Sequence, residues 1–394
     1  MTKNFVPVSQ RPGTFAERAD ARDAQELQEA GSLKWTAFQP ADGAWVAESD
    51  FGLAAPVRKA VVDFIDKEMT GYAPMNMRKE LKMATAQWLD KRYGWSVPAE
   101  RVHWLPDVLT GLTMMLSYLV PDGKVIVPTP CYMPFVDIPG VCGRELIQVP
   151  MIQTEDSWEF DFESIDQAFK DGGNVLILCN PHNPIGKVVT AGEMGKITKI
   201  VDAHNGWVFS DEIHAPLVLD GKHVPYASTS QSAAQHTVTA LSASKAFNTA
   251  GLKCAQLVVT NDEQQRWMTS QGHGIIHESA PIGVVAAISA YRDGEEWLDD
   301  LVDYLRGNRD YLVEAVEKKL PGVKMIAPQS TFLAWLDVRG LGLEDPRQHF
   351  LKAGVALTDG AECGDVGNGW LRLCFGTPRP VLEQIIEKMA AALA

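Results

Sequence analysis

Three features are missing from this 394-residue sequence. None of its six cysteines belongs to a Cys-x-x-Cys pair, and most lie among apolar residues, which is typical of free buried thiols in a reducing compartment rather than of a disulfide framework. The longest apolar stretch, Val108 to Val120, is interrupted by Gly111 and is too short to cross a bilayer. The first residues lack the apolar core of a secretory signal. We therefore expect a cytoplasmic protein that does not contact membranes.

Positive charge is also scarce. The chain has 36 Lys and Arg against 50 Asp and Glu, a formal net charge of −14, which argues against nucleic acid as a partner because binding to nucleic acid requires basic patches. A metal site is not expected either. His273 and His277 have the i, i+4 spacing of a helical metal site, but no acidic ligand or third histidine accompanies them, so structural or loop histidines are the better interpretation. The composition thus favours a small-molecule partner.

Short apolar runs that alternate with helical patterns indicate an α/β fold. Each run reads as a buried strand, and three of them lead directly into polar residues that are candidates for function. Functional residues gather at the C-terminal ends of the strands in open parallel sheets, so we predict a mainly parallel sheet with helices on both faces. The runs cover residues 124–127, 174–178, 207–209, 238–241 and 256–260.

The pattern changes at both ends of the chain. Residues 14–30 are charged and rich in alanine, and they are predicted to form a mobile or surface helix. After Tyr291 a long amphipathic helix is predicted from about Glu295 to Lys319, followed by shorter strand and helix patterns. Because the chain is long for a single core, we predict two domains. A large domain covers residues 50–290, and a smaller α/β domain combines residues 1–49 with residues 291–394.

Three short motifs in a fixed order carry the candidate chemistry. They are Asn-Pro-His-Asn-Pro-Ile-Gly at 180–186, Ser-Asp-Glu-Ile-His at 210–214 and Ser-Ala-Ser-Lys-Ala-Phe-Asn at 242–248. A lysine among small hydroxyl residues can form a Schiff base, and a buried carboxylate can keep a pyridine nitrogen protonated. Taken singly, the motifs also fit a turn, a solvated loop and a helix start. Their joint order makes the chemical interpretation the better one.

In order and spacing, the three motifs resemble the pyridoxal-phosphate (PLP) enzymes of aminotransferase fold type I. The resemblance covers nearly the whole chain and implies a seven-stranded, mainly parallel PLP-binding sheet. Within this fold type the chain looks most similar to the C–S β-lyases, the cystathionine β-lyase branch. The string Trp45-Val46-Ala47-Glu48-Ser49-Asp50-Phe51, His214 and Asn248 point to that branch. The branch usually has Asp where Glu48 stands.

The resemblance also implies roles for single residues. Lys245 would carry PLP and remove the Cα proton of the substrate, Asp211 would keep the ring nitrogen protonated, and Asn183 would donate to the phenolic oxygen. Tyr132 resembles the aromatic residue that stacks on the ring, and Arg372 resembles the arginine that grips the substrate α-carboxylate. The other cofactor-binding residues implied are His214 and, around the phosphate, Val108, Leu109, Ser242, Ser244 and Lys253.

Tyr72 resembles a catalytic tyrosine that reaches the phosphate of the partner subunit's cofactor, so the resemblance implies a homodimer. Alternatives stay open for three of these residues. Tyr72 also fits a turn tyrosine, Tyr132 fits core packing at a strand end, and Arg372 fits a surface strand. Asp107 is an unusual neighbour for a phosphate at the start of the helix that contains Val108.

We therefore expect a homodimeric PLP enzyme that cleaves the Cβ–S bond of L-cystathionine or a related cysteine S-conjugate to a thiol, pyruvate and ammonia. An aminotransferase is the nearest alternative, because it shares every step up to the loss of the Cα proton. A non-catalytic regulator on the same scaffold is a second alternative. The presence of Lys245, Asp211 and Arg372 argues against it.

Overall fold

The computed structural model describes residues 6–272, residue 275 and residues 278–394, so His273 and His277 lie outside the described residues. In chain order the helices are α1 (Phe15–Asp20), α2 (Ala24–Ala30), α3 (Leu33–Thr36), α4 (Ala55–Asp66), α5 (Met75–Tyr93), α6 (Val108–Met114), α7 (Pro134–Val141), α8 (Phe162–Lys170), α9 (Ala191–Ala203), α10 (Gln231–Gln235), α11 (Ser244–Phe247), α12 (Asp262–Ser270), α13 (Pro281–Asp293), α14 (Glu295–Lys319), α15 (Pro346–Lys352) and α16 (Arg379–Ala391).

The strands are short, and most of them belong to two sheets. In chain order they are β1 (Asp42–Gly43), β2 (Val102–Leu105), β3 (Lys124–Thr129), β4 (Leu146–Pro150), β5 (Ile152–Gln153), β6 (Trp158–Glu159), β7 (Gly173–Cys179), β8 (Trp207–Asp211), β9 (Thr237–Leu241), β10 (Ala255–Val259), β11 (Lys324–Met325), β12 (Leu333–Asp337), β13 (Val355–Ala356), β14 (Thr358–Asp359) and β15 (Trp370–Cys374).

The large sheet has seven strands in the order β2-β10-β9-β8-β7-β3-β4. The pairs from β9 to β4 are parallel, whereas β10 is antiparallel to both of its neighbours. The mainly parallel seven-stranded sheet predicted from the sequence is therefore confirmed, with β10 as its reversed strand.

Helices cover both faces of this sheet because its strands are apolar on both sides. Along β7, Val175 and Ile177 point into an apolar cluster with α6 and α7, while Leu176 and Leu178 join a second cluster with α8 and α9. Successive side chains of a strand face opposite ways. A strand that is buried on both faces reads as a continuous apolar run, which is why the sequence pattern identified it.

The smaller sheet is antiparallel, in the order β11-β12-β15-β14. Strand β1 pairs with β13 and so joins the N-terminal segment to the C-terminal part of the chain. All strands of the large sheet fall between residues 102 and 259, and those of the smaller sheet fall between residues 324 and 374. The domain limits of 50–290 and 1–49 plus 291–394 stay a prediction that is compatible with these positions.

The N-terminal segment differs from its prediction. Residues 14–30 form the two short helices α1 and α2 rather than one helix. Phe15, Ala19 and Leu27 are buried in the main apolar cluster, so the segment is not a loose surface helix. Thr14 begins α1 with a capping box to Glu17, and Asp23 caps α2.

Three predictions that concern absences can be compared with the described part of the chain. The six cysteines are free, and five of them are buried. Across residues 6–272, residue 275 and residues 278–394, no group of histidine, cysteine or acidic side chains has the arrangement of a metal site. Within those same ranges no helix has both the length and the apolar character that crossing a bilayer would require.

Candidate active site

The three motifs meet at one edge of the large sheet, where β7, β8 and β9 end. The last residue of β7 pairs with Asp211 at the end of β8, and Asp211 pairs with Ala240 of β9. The backbone N–H of Asn180 donates to the carbonyl oxygen of Asp211 at 2.9 Å. Because parallel strands end at the same edge, the loops that carry Asn183, Asp211 and Lys245 are neighbours.

Lys245 lies in the one-turn helix α11, directly after β9. Its Nζ atom donates to the carbonyl oxygen of Ala47 at 2.7 Å. Burial and the nearby Arg372 guanidinium lower its pKa to about 8, although Asp211 and Glu48 act in the opposite direction. An amine with this pKa is neutral far more often near pH 7 than a surface lysine, and a neutral amine can attack an aldehyde.

Asp211 is buried, and its charge acts on Lys245. Its Oδ1 atom accepts a hydrogen bond from the backbone N–H of Ile213 at 3.1 Å. Burial raises its pKa to about 7, and Lys245 only partly opposes this shift. The carboxyl has no ion pair within the described residues, and a protonated ring nitrogen beside it would favour its charged form.

Arg372 is buried in β15 of the smaller sheet and points toward the end of the large one. Its Nη1 atom donates to Asn183 Oδ1 at 3.2 Å, and its Nη2 atom donates to the carbonyl oxygen of Trp45 at 3.1 Å and to Thr358 Oγ1 at 3.3 Å. Its Nε atom is buried without a partner among the described residues. A buried guanidinium with no carboxylate beside it fits the carboxylate of a ligand.

Two ring side chains lie near the charged residues of the site. His214 is buried, and burial together with the charges of Lys245 and Arg372 keeps its pKa well below the usual range, so the imidazole is neutral. Its ring meets Phe332 edge-on at a centroid distance of 6.1 Å. The pKa of Tyr132 is raised by burial and by the charge of Asp211, which indicates that its phenol lies near that carboxylate.

The serines predicted to bind phosphate lie on the turn between β9 and α11. The Ser242 hydroxyl donates to the carbonyl oxygen of Cys254 at 2.7 Å and accepts from the backbone N–H of Ser244 at 3.1 Å. Both serines are buried. They are therefore fixed beside Lys245, as the motif predicts.

Lys253 and the start of α6 are brought together through Asp107. The Lys253 Nζ atom donates to Asp107 Oδ2 at 3.1 Å, and Asp107 caps α6 by accepting from the backbone N–H of Thr110 at 2.9 Å. The capping bond, the ion pair and the hydroxyl of Thr110 keep the pKa of Asp107 below its usual value in spite of burial. Val108 and Leu109, the first residues of α6, thus lie next to a cation that could also serve a phosphate.

Tyr72 is the one predicted site residue that the single chain does not bring to the pocket. It follows α4 on the loop that leads to α5, and 99% of its surface is exposed. No hydrogen bond links its hydroxyl to any described residue of its own chain.

Comparison with known proteins agrees with this geometry. A model of the family described as aminotransferase class I and II matches residues 47–389. The chain belongs to this family. It is 37% identical over 382 residues to the cystathionine β-lyase of Corynebacterium glutamicum, with 94% of this chain and 99% of that protein covered. It is 33% identical to cystathionine β-lyase PatB of Bacillus subtilis, with 89% and 92% covered.

A solved structure shows the same fold. The PLP-bound C–S lyase from Staphylococcus hominis superimposes on the chain with a TM-score of 0.86 at 28% identity, covering 93% of this chain and 95% of that one. The fold type predicted from the three motifs is therefore confirmed.

The sequence analysis missed the backbone that closes the pocket in this family member. Residues 45–48 supply the carbonyl oxygens of Trp45 and Ala47 to Arg372 and Lys245, and Thr358 adds its hydroxyl to Arg372. The string from Trp45 to Phe51 was identified by resemblance. Its contacts with Lys245 and Arg372 could not be predicted, because every residue type has a backbone carbonyl oxygen. Thr358 lies in β14, a two-residue strand without a distinctive pattern.

Glu212, the neighbour of Asp211, was also without a predicted role. Its carboxylate is buried, accepts from Ser210 Oγ and from the backbone N–H of Tyr226 at 2.9 Å each, and lies 2.9 Å from His223 Nε2. These contacts fix the turn that carries Asp211 and His214. The signal for this role was the acidic pair Asp211-Glu212 at the end of a buried apolar run.

The donor set fits PLP. Asp211 forms no ion pair with a described residue, and Lys245 loses its proton much more readily than an exposed lysine. The Asn183 oxygen faces Arg372, which leaves the NH₂ group of Asn183 to donate to a phenolic oxygen. The Ser244 hydroxyl suits a phosphate, whereas the Ser242 hydroxyl donates to the carbonyl oxygen of Cys254 and holds the backbone of Ser244 in place. The side chains near Lys245 are thus of the types that the ring nitrogen, the phenolic oxygen and the phosphate of the cofactor require.

Proposed function

We propose that this chain is a PLP-dependent C–S β-lyase that converts L-cystathionine or a related cysteine S-conjugate to a thiol, pyruvate and ammonia. The observation that carries the proposal is the environment of Lys245, a partly buried lysine whose pKa is lowered to about 8 and which lies among the charges of Arg372, Asp211 and Glu48. Relatives at 33–37% identity are named for this activity, which favours elimination over transamination.

For each polar group of PLP we propose a residue of this chain that binds it. Lys245 would hold the cofactor covalently, Asp211 would stabilise the proton on the ring nitrogen, and Asn183 would donate to the phenolic oxygen. Tyr132 and His214 would flank the ring. The phosphate would lie among Ser242, Ser244, Lys253 and the first N–H groups of α6, at Val108 and Leu109.

The protein side chains then account for the order of events on the substrate. Arg372 would bind the α-carboxylate through its planar fork and turn the Cα–H bond toward Lys245. The neutral Lys245 amine would take the Cα proton, and PLP, when bound, would accept the electron pair left at Cα. The Cβ–S bond would then break with departure of a thiolate, and hydrolysis of the remaining three-carbon fragment by one water molecule would give pyruvate and ammonia.

We also propose that the enzyme acts as a homodimer in which Tyr72 reaches the partner subunit's cofactor phosphate. Half of the large apolar residues that are exposed in the described part of the chain lie between residues 62 and 83, on α4, on α5 and between them. They are Val62, Ile65, Met69, Tyr72, Met75 and Met83. Exposed apolar residues gathered in this way mark an interface, and a second copy of the chain would cover them. The cytoplasmic location stays a prediction.

The test is an assay with L-cystathionine in the absence of any keto acid. We expect homocysteine, pyruvate and ammonia, because elimination needs no second substrate. The Lys245→Ala variant is the control and should release none of them. An aminotransferase, the alternative function, would convert amino acids only when a keto acid is supplied and would release no thiol.

A further inference from the structure

Asp107 and Lys253 form an ion pair at the place proposed for the cofactor phosphate. The Lys253 Nζ atom lies 3.1 Å from Asp107 Oδ2, and within the described residues neither side chain has another ion-pair partner. Because a phosphate is itself an anion, it favours cations and N–H donors as neighbours rather than a carboxylate. The site thus contains a negative charge that a phosphate at Lys253 has to approach.

The carboxylate of Asp107 is held in place by the helix that it caps. Its Oδ1 atom accepts hydrogen bonds from the backbone N–H of Thr110 at 2.9 Å and from the Thr110 hydroxyl at 2.8 Å. Burial alone would raise the pKa of Asp107, but these two hydrogen bonds and the contact with Lys253 keep it below its ordinary value. The group is therefore charged at neutral pH, and its position is set by α6 as well as by Lys253.

The backbone of Lys253 is fixed too. Its φ of +54° lies in the left-handed region that favours glycine, and its carbonyl oxygen accepts from the backbone N–H of Ala280 at 3.2 Å. The carbonyl oxygen of the next residue, Cys254, accepts from the Ser242 hydroxyl at 2.7 Å, which keeps this segment beside the turn before α11. The long side chain of Lys253 is thus the part that can shift between Asp107 and a ligand.

Both charged groups are partly exposed, with 58% of the Lys253 side chain and 39% of the Asp107 side chain accessible. The ammonium of a lysine has three N–H donors, so Lys253 can contact the carboxylate and a phosphate oxygen at the same time. Two anions on one ammonium repel each other, and the surrounding water screens this repulsion only in part. The charge of Asp107 therefore opposes the binding of a phosphate at Lys253.

We propose that Asp107 limits the affinity of the enzyme for PLP by sharing Lys253 with the cofactor phosphate. Asp107 is thus a positioning residue, since it acts on the phosphate through the Lys253 ammonium. The inference rests on the phosphate position that is part of the proposed function. At a given concentration of free PLP, a smaller fraction of the enzyme is then loaded than with a neutral residue at position 107.

The test compares PLP with pyridoxal, which lacks the phosphate. The PLP-free protein is titrated with each compound, and the absorbance of the bound compound gives two Kd values. Their ratio, pyridoxal over PLP, isolates the contribution of the phosphate, because both compounds bring the same ring and aldehyde to Lys245. Asp107→Asn and Asp107→Ser remove the charge and keep a residue that caps a helix as well as aspartate does.

We expect both variants to lower the Kd of PLP about fivefold, the scale of one interaction between partly exposed charges, and to leave the Kd of pyridoxal unchanged. The gain should shrink in about 1 M salt, where charges are screened beyond about 3 Å. Asp161→Asn is the matched control, because Asp161 caps α8 through the backbone N–H and the hydroxyl of Ser164 in the same way. It should change neither Kd.

The Lys253→Gln variant separates two ways in which the inference can fail. We expect it to lower the Kd ratio. If it does, and the neutral variants of Asp107 leave the ratio unchanged, lower it, or raise it equally at low and high salt, Asp107 does not oppose the phosphate by its charge. If Lys253→Gln itself leaves the ratio unchanged, the phosphate does not lie at Lys253, so that part of the proposed function is wrong and this inference is wrong with it.

Discussion

Arg372 and Asn183 are joined by a 3.2 Å hydrogen bond from the guanidinium Nη1 atom to the amide Oδ1 atom. The arginine belongs to β15 of the smaller sheet, and the asparagine follows β7 of the large sheet. The group proposed to bind the substrate carboxylate is thus directly connected to the group proposed to contact the cofactor ring. This hydrogen bond therefore holds the two side chains in a fixed position relative to each other.

Lys245 should be the residue that PLP modifies. Its low pKa, about 8, makes it much more reactive than exposed lysines. Borohydride reduction of the PLP-loaded protein followed by peptide mapping should place the pyridoxyl group on Lys245. The Lys245→Ala variant should carry no label, and a label on a different lysine of the unmodified protein would rule out this assignment.

Asp211→Asn should leave a folded protein that binds PLP but turns over at least about 100-fold more slowly. An amide does not stabilise a proton on the ring nitrogen, so the electron pair at Cα is poorly accommodated. PLP absorbance and steady-state kinetics measure the two properties separately. Near-normal turnover would show that Asp211 does not interact with the ring nitrogen.

The same variant tests the raised pKa of Asp211 in the PLP-free protein. The folded-state pKa is about 7, whereas the ordinary value is 3.8. The stabilisation from the protonated carboxyl is therefore fully present below about pH 4 and is lost as the pH rises through about 7. The loss in unfolding free energy is at most about 4 kcal/mol. Urea unfolding at pH 5 and pH 8 should show a larger fall for the unmodified protein than for Asp211→Asn, and equal falls would contradict the shift.

Arg372→Lys should lower kcat/KM for the thioether about 100-fold. Lysine keeps the charge but loses the planar fork, and it cannot contact Asn183, Trp45 and the substrate carboxylate together. Arg339→Lys is the matched control, because Arg339 is an exposed arginine that forms an ion pair with the buried Asp337 and is not one of the predicted site residues. A similar loss in both variants would mean that Arg372 acts on stability rather than on the substrate.

Tyr72 can be tested by mixing two inactive variants. If Tyr72 completes the partner's site, a hybrid of Lys245→Ala and Tyr72→Ala subunits contains one intact site per dimer. Co-refolding the two variants should then restore activity, and sedimentation should show a dimer. If activity stays absent after mixing, or if a monomer is fully active, both the proposed dimer and the proposed role of Tyr72 are wrong.

Much of the fold was predictable because the central strands are apolar on both faces and end in distinctive polar motifs. The runs that became β3, β7, β8, β9 and β10 were all identified, and the predicted helix from Glu295 to Lys319 matches α14. The sheet's outer strands β2 and β4 were missed. Each is short, and its pattern is not distinct from that of a loop.

The site was predictable only where its chemistry demands a residue type. Lys245, Asp211 and Arg372 could be named because an amine, an acid and a planar cation are needed. The carbonyl oxygens of Trp45 and Ala47 could not, since any residue provides a carbonyl and only the fold decides where it points. The burial of α1 and α2 likewise depends on long-range packing that their charged sequence does not indicate.

A count of products per active site tests the lyase function most directly. Excess L-cystathionine is added to the PLP-loaded enzyme without any keto acid, and thiol and pyruvate are measured over time. We expect equal amounts of homocysteine and pyruvate that rise through many turnovers of each site, because elimination regenerates the enzyme. If instead the reaction stops after about one amino-group transfer per site, releases no thiol and resumes when a keto acid is added, the chain is an aminotransferase and not a C–S lyase.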